Sequence, residues 1–75
     1  MRKLARYEGE YWFIDISNSN GWIFDRVTRD GIRHPAGAEV SWGYFMEILD
    51  GAPCVASPPE NPSPEWFINF FKTKL

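Results

Sequence analysis

Large apolar side chains stand next to one another in two short runs, residues 11–14 and 22–24, on either side of a polar turn. Successive side chains of an extended segment lie on its opposite sides, so each run would be apolar on both sides. The density of aromatic and β-branched residues in 10–17 is typical of a strand. Both sides of that strand would be apolar, with Trp12, Ile14 and Ile16 on one side and Tyr11 and Phe13 on the other.

Turn signals divide the same region into short strands. Asn20-Gly21 can supply the positive backbone angles of a tight hairpin turn, and Asp30-Gly31 offers a second corner. Pro35 cannot donate to a ladder, so it ends the last strand or lies at an edge. The pattern predicts a three- to four-stranded antiparallel meander with strands at about 3–8, 10–17, 22–29 and 32–34.

The second half of the chain changes to helical spacing. Ser41 is a candidate N-cap for a helix at about 42–50, whose apolar positions span roughly 200° of the helix surface. Residues 51–64 contain five of the six prolines, and we expect the linker 51–63 to have no regular structure. Pro64 then occupies the first position of a last helix at about 64–74.

These elements predict one α+β domain over residues 1–75, in which the meander is followed by two short helices. Which helix covers which face of the sheet stays open. The last helix could pack on its own chain. It could also reach a second subunit across the Pro-rich linker, or be exchanged between two chains.

Composition limits the compartment and the class of partner. The net charge is −2 with the two signs mixed, so bulk charge predicts neither a nucleic-acid binder nor an acidic mimic. A single cysteine, Cys54, excludes an intramolecular disulfide, and no segment has the length of a signal peptide core or a membrane span. We therefore expect a cytoplasmic protein that does not enter a membrane.

Candidate catalytic or metal-binding residues are sparse. One cysteine and one histidine fall short of the three or four ligands of a zinc site, so neither a metal nor a cofactor is expected. Cys54 with His34 could form a thiolate–imidazole pair, but Cys54 lies in a Pro-rich segment that is a poor platform for catalysis. Asp15, on a strand covered on both sides, needs a donor, and Arg26 is the expected cross-strand partner. The sequence favours a protein that is not an enzyme.

The abundance of aromatic side chains favours an interaction module. Thirteen residues are Phe, Trp or Tyr, types that are enriched at the cores of protein interfaces. We expect a homodimer or a protein partner bound through an aromatic surface. By size and class, an accessory protein of a mobile element would fit. The expected protein-binding residues are Trp12, Trp22, Trp42, Trp66, Phe67 and Phe71.

The alternative function is nucleic-acid binding through the hairpin 22–34. Basic groups beside exposed aromatic rings can hold a single strand by phosphate contact and base stacking. Asp25 and Asp30 partly cancel this charge. The residues of this alternative are Arg26, Arg29, Arg33, His34, Arg2, Lys3 and Arg6.

Overall fold

The computed structural model describes residues 1–17, 21–36 and 51–74 of the chain. The described part forms a five-stranded antiparallel sheet with one helix at its C-terminal end, so the α+β class is confirmed. The strand order is β4-β3-β2-β1-β5. The elements are β1 (Arg2–Tyr7), β2 (Glu10–Ser17), β3 (Gly21–Val27), β4 (Arg33–Pro35), β5 (Cys54–Ala56) and α1 (Pro64–Lys74). The predicted helix at 42–50, and Trp42 with it, lies outside the described residues.

The fifth strand corrects the predicted count of three or four. β5 lies in the segment that was expected to have no regular structure, and it pairs with the outer edge of β1 through Leu4↔Ala56 and Ala5↔Cys54. The Arg6 N–H also donates to the Pro53 carbonyl oxygen at 3.1 Å. Proline lacks only the donor, so a Pro-rich segment can still supply carbonyl groups to a free sheet edge.

Two turns of different length connect β1 to β2 and β3 to β4 at the same end of the sheet. Glu8 and Gly9 both have positive φ, 51° and 78°, and form the two-residue loop between β1 and β2, as in a type I′ turn. Between β3 and β4, the Gly31 N–H donates to the Thr28 carbonyl at 2.9 Å, and the Thr28 N–H donates to the Ile32 carbonyl at 3.0 Å. Residues 29–31 are therefore a three-residue loop with glycine at its left-handed position.

Helix α1 covers one face of the sheet and forms a core with it. Phe67 meets Phe13 edge-on at 5.9 Å between ring centroids, and Phe71 meets Tyr11 in the same way at 4.9 Å. Such pairs add roughly 0.5–1.5 kcal/mol each to the stabilisation from burial. The buried members of this cluster are Leu4, Tyr11, Phe13, Val27, Phe67 and Phe71.

The segment 57–63 crosses this face of the sheet in contact with it and is not a free linker. The Arg2 side chain donates from Nε to the Pro58 carbonyl at 3.3 Å, and Pro58 and Pro62 are buried. Further along, the Asn61 Oδ1 accepts a hydrogen bond from Arg33 on β4 at 3.3 Å. The segment thus runs from the β5 edge to the β4 edge, which delivers α1 to its own sheet.

A second group of side chains is buried on the opposite face of the sheet. Ala5, Trp12 and Ile14 are at most 5% exposed, and the Trp12 ring stacks on Phe24 at 5.1 Å. The other buried members of this cluster are Ala36 and Ala52, which flank the undescribed segment 37–50.

Candidate functional site

A cleft of about 220 Å³ lies at the end of the sheet that carries the two described turns. Three arginines from three different segments line it: Arg6 from β1, Arg26 from β3 and Arg29 from the loop after β3. Its remaining lining residues are Gly9, Glu10, Tyr11, Val27 and Thr28.

The sheet register explains how these arginines converge. Arg6 pairs with Tyr11 on the face that α1 covers, and its guanidinium lies 5.6 Å from the centroid of the Tyr11 ring. Arg26 pairs with Trp12 on the opposite face. The two side chains therefore flank the end of the sheet from its two sides, and Arg29 approaches from the loop that leaves β3.

The charges of the cleft do not cancel. Glu10 is the one carboxylate in its lining, and its Oε2 lies 3.5 Å from an Arg26 nitrogen. Both side chains of that pair are about two-fifths exposed or more, so the pair contributes about 0–1 kcal/mol. Arg29 is exposed and has no ion-pair or hydrogen-bond partner among the described residues. The cleft is thus positively charged and open to an anion.

Arg33, expected in the same basic cluster, instead holds the fold together. Its Nε donates to the Asp25 carboxylate at 2.9 Å, and its guanidinium lies 4.6 Å from the centroid of the Phe13 ring. With its further hydrogen bond to Asn61, this side chain joins β4, β3 and the segment 57–63. Arg33 is therefore committed to internal contacts and does not line the cleft.

The remaining residues of the nucleic-acid alternative also lie elsewhere. Arg2 contacts Pro58 near the β5 edge, and His34 is exposed on β4 at the other edge. Lys3 is half-buried and shares the face of Ile14. The structure thus brings together three of the seven basic residues that the sequence singled out.

The aromatic residues expected to bind a partner lie mainly in the interior. Trp12, Phe67 and Phe71 are at most 6% exposed and fill the two cores of the chain. Trp66 is half-buried on α1. The Trp22 side chain and all of Trp42 lie outside what the structure describes.

Neither the possible pair of Cys54 with His34 nor the expected pair of Asp15 with Arg26 forms. Cys54 and His34 lie on β5 and β4, the opposite edges of the five-stranded sheet, about 19 Å apart at roughly 4.8 Å per strand spacing. Asp15 pairs with Ile23 and not with Arg26, whose side chain is on the other face. Across residues 1–17, 21–36 and 51–74, no three His, Cys, Asp or Glu residues are grouped as metal ligands.

Gly9, Glu10 and Thr28 are cleft residues that the sequence reasoning missed. The available signal was Glu8-Gly9, a two-residue hairpin loop between apolar strands, which would have placed Arg6 and Glu10 beside a turn. In the described chain, no helix has the length and apolar character needed to cross a membrane. No protein-family model, curated protein or solved structure matches this chain.

Proposed function

We propose that this protein is a small, non-enzymatic nucleic-acid-binding module whose arginine cleft holds the phosphate backbone. The observation that carries the proposal is the convergence of Arg6, Arg26 and Arg29 on one cleft with a single, weakly paired carboxylate. Guanidinium groups present several donors in a fixed fork and bind phosphate oxygens in pairs. Phosphate contacts of this kind account for most sequence-independent binding to nucleic acid.

The contacts favour recognition of the backbone over recognition of bases. Tyr11 is the aromatic residue of the cleft, and it is 6% exposed, with the Arg6 guanidinium 5.6 Å and the Phe71 ring centroid 4.9 Å from the centroid of its ring. A ring that is so deeply buried has no free face on which a base could stack. We therefore expect binding that depends strongly on salt and weakly on sequence.

Fluorescence anisotropy with a labelled single-stranded oligonucleotide tests this proposal. The double variant Arg26→Gln/Arg29→Gln removes two cleft charges, and Lys72→Gln removes an exposed charge on α1, outside the cleft. A plot of the logarithm of the binding constant against the logarithm of the salt concentration has a negative slope. That slope should be shallower by about 1.4 in the double variant, because each phosphate that an arginine neutralises contributes about 0.7 to its magnitude. Lys72→Gln should leave the slope almost unchanged.

Two outcomes would contradict the proposal. One is the absence of any anisotropy change for the wild-type protein up to about 10⁻⁴ M at low salt, which is the weak end of non-specific affinity. The other is an equal loss of binding in Lys72→Gln and in the cleft variant, because the effect would then follow net charge and not the cleft.

A second candidate function is self-association through an aromatic surface on α1. Trp66 and Phe70 are half-buried and stack on each other with their rings 6.0 Å apart and nearly parallel. Both rest against the core beneath α1, and each residue remains partly exposed. Strand addition is a poor route to a dimer, because the edge strands β4 and β5 have three residues each and Pro35 ends one of them.

Light scattering coupled to size-exclusion chromatography tests this second candidate. Replacing Trp66 and Phe70 together by Ala should raise the dimer dissociation constant at least tenfold, a loss of about 1.4 kcal/mol or more. Asn69→Ala, an exposed position on the same helix, is the matched control and should change nothing. If the wild-type protein stays monomeric at every concentration, self-association is refuted.

A further inference from the structure

Asp15 is a buried carboxylate without a partner in the described part of the chain. The residue is 2% exposed, on β2 between Arg2 of β1 and Ile23 of β3. No hydrogen bond or ion pair joins its carboxylate to another described residue. A charge withdrawn from water without a compensating donor is unfavourable, so this position requires an explanation.

The carboxylate lies on a second cleft. A cavity of about 400 Å³ on the α1 face is lined, among the described residues, by Asp15, Ile23, Glu60 and Asn61. No fully buried side-chain oxygen in the described residues lacks a hydrogen-bond partner. The Asp15 oxygens must therefore reach the cavity, where a bound group can satisfy them.

The surroundings of the cleft define the charge and shape of that group. Glu60 is exposed and adds a second carboxylate at the opening, while Ile23 offers an apolar wall. The Asn61 side-chain amide oxygen, Oδ1, already accepts a hydrogen bond from Arg33. Arg2 is the neighbouring cation, and its Nε donates to the Pro58 carbonyl and not to Asp15.

We propose that this cleft binds an alkylammonium group, with the cationic head on Asp15, the methylene chain along Ile23 and Glu60 at the opening. A primary ammonium has three donors and a strongly localised charge, which suits a carboxylate that lacks internal donors. A divalent metal ion fits less well, because no three His, Cys, Asp or Glu residues of the described chain are grouped to hold one, and Ca²⁺ takes six to eight oxygen ligands.

Two sources could supply this chemistry, a free diamine or the lysine side chain of another protein. Isothermal titration calorimetry with 1,4-diaminobutane and with Nα-acetyl-lysine methylamide compares them directly. Tighter binding of the lysine derivative would assign the cleft to a protein partner, and tighter binding of the diamine would assign it to a free polyamine. 1,4-Butanediol and Nα-acetyl-norleucine methylamide are the matched neutral probes, and neither should bind measurably.

Three variants separate the cleft from the rest of the fold. Asp15→Asn should weaken amine binding at least about tenfold, as expected for the loss of a charge-assisted hydrogen bond. Glu60→Gln, at an exposed position, should weaken it about threefold, in the range of a surface ion pair. Arg2→Gln removes the competing charge and keeps a side-chain donor for the Pro58 carbonyl, so it should tighten binding.

The proposal is overturned if the amines bind no better than their neutral counterparts. It is also overturned if Mg²⁺ or Ca²⁺ binds while the amines do not. Should Asp15→Asn fail to fold, unchanged affinities in Glu60→Gln and Arg2→Gln would have the same consequence. None of these results depends on nucleic-acid binding, so the two proposals fail separately.

Discussion

Gly31 allows the loop after β3 to pass against the start of α1, and its replacement by Ala tests how tightly these parts are packed. Gly31 is buried and has φ of +81°, a conformation that costs an L-residue roughly 1–2 kcal/mol. An added Cβ would overlap the Pro64 carbonyl oxygen and come within 3.0 Å of the carbonyl carbon and Cα of Pro64. Because these are backbone atoms, one element has to move.

Gly9 provides a matched control for the backbone cost. It has φ of +78°, almost the same as Gly31, but an added Cβ would meet no atom within 4 Å. Gly9→Ala should therefore lower the free energy of unfolding by about 1 kcal/mol from conformation alone. Gly31→Ala adds an overpacking cost of about 1–3 kcal/mol, for a total loss of about 3 kcal/mol.

Urea unfolding and thermal melting, each followed by tryptophan fluorescence, measure both losses. In a chain of this size, 1 kcal/mol corresponds to about 4–8 °C in melting temperature. Gly31→Ala should thus melt at least about 12 °C below the wild type, and Gly9→Ala less than about 10 °C below it. Equal losses in the two variants would refute the close contact between the loop and the first turn of α1.

Three further substitutions test the cores and the helix start. Phe67→Ala should cost about 3–5 kcal/mol in urea unfolding, because the ring is fully buried, whereas the exposed Asn69→Ala should change stability by less than about 0.5 kcal/mol. Arg33→Lys keeps the charge but removes the planar group that lies over Phe13, so melting should show a loss of about 1 kcal/mol. Ser63→Ala removes an acceptor of the Trp66 N–H and should cost about 1 kcal/mol, with faster hydrogen exchange in the first turn of α1.

Elements with a strong local pattern could be predicted from the sequence. The dense run of aromatic and Ile residues in 10–17 coincides with β2, and the predicted last helix at 64–74 coincides with α1. In α1, Ser63 caps the helix, as its hydroxyl and carbonyl both accept from the Trp66 N–H. Local residue preferences and tertiary packing agree in these two elements, which is why local information was sufficient.

Strand register could not be predicted, because it depends on loop length. A two-residue corner at Asn20-Gly21 would pair Asp15 with Arg26, which is the pairing expected from the sequence. In the structure Ser17 pairs with Gly21, and Asp15 then lies opposite Ile23. A change of parity in register moves a side chain to the other face. Arg26 consequently reaches the arginine cleft and leaves Asp15 without its expected donor.

The position of the Pro-rich segment in the fold could not be predicted from local patterns either. Residues 54–56 form a strand only because β1 offers a free edge, and segment 57–63 is held by Arg2 and Arg33, which are distant in sequence. With α1 delivered to its own sheet, Phe67 and Phe71 fill the core of the chain. Because the fold itself buries these rings, the abundance of aromatic residues is weaker support for a binding partner than the sequence alone suggested.

The two clefts lie toward opposite ends of β2, and this separation leads to a further prediction. Tyr11 lines the arginine cleft and Asp15 lines the second cleft. These two residues are four positions apart, which is about 13 Å along a strand. This exceeds the Debye length of about 8 Å at 0.15 M salt, so Asp15→Asn should leave oligonucleotide affinity unchanged there. At 0.01 M salt, where the Debye length is about 30 Å, the same variant should bind the oligonucleotide slightly more tightly because one repulsive charge is gone. A loss of affinity at either salt concentration would mean that Asp15 supports the arginine cleft through the fold, and the two clefts would then have to be treated as one site.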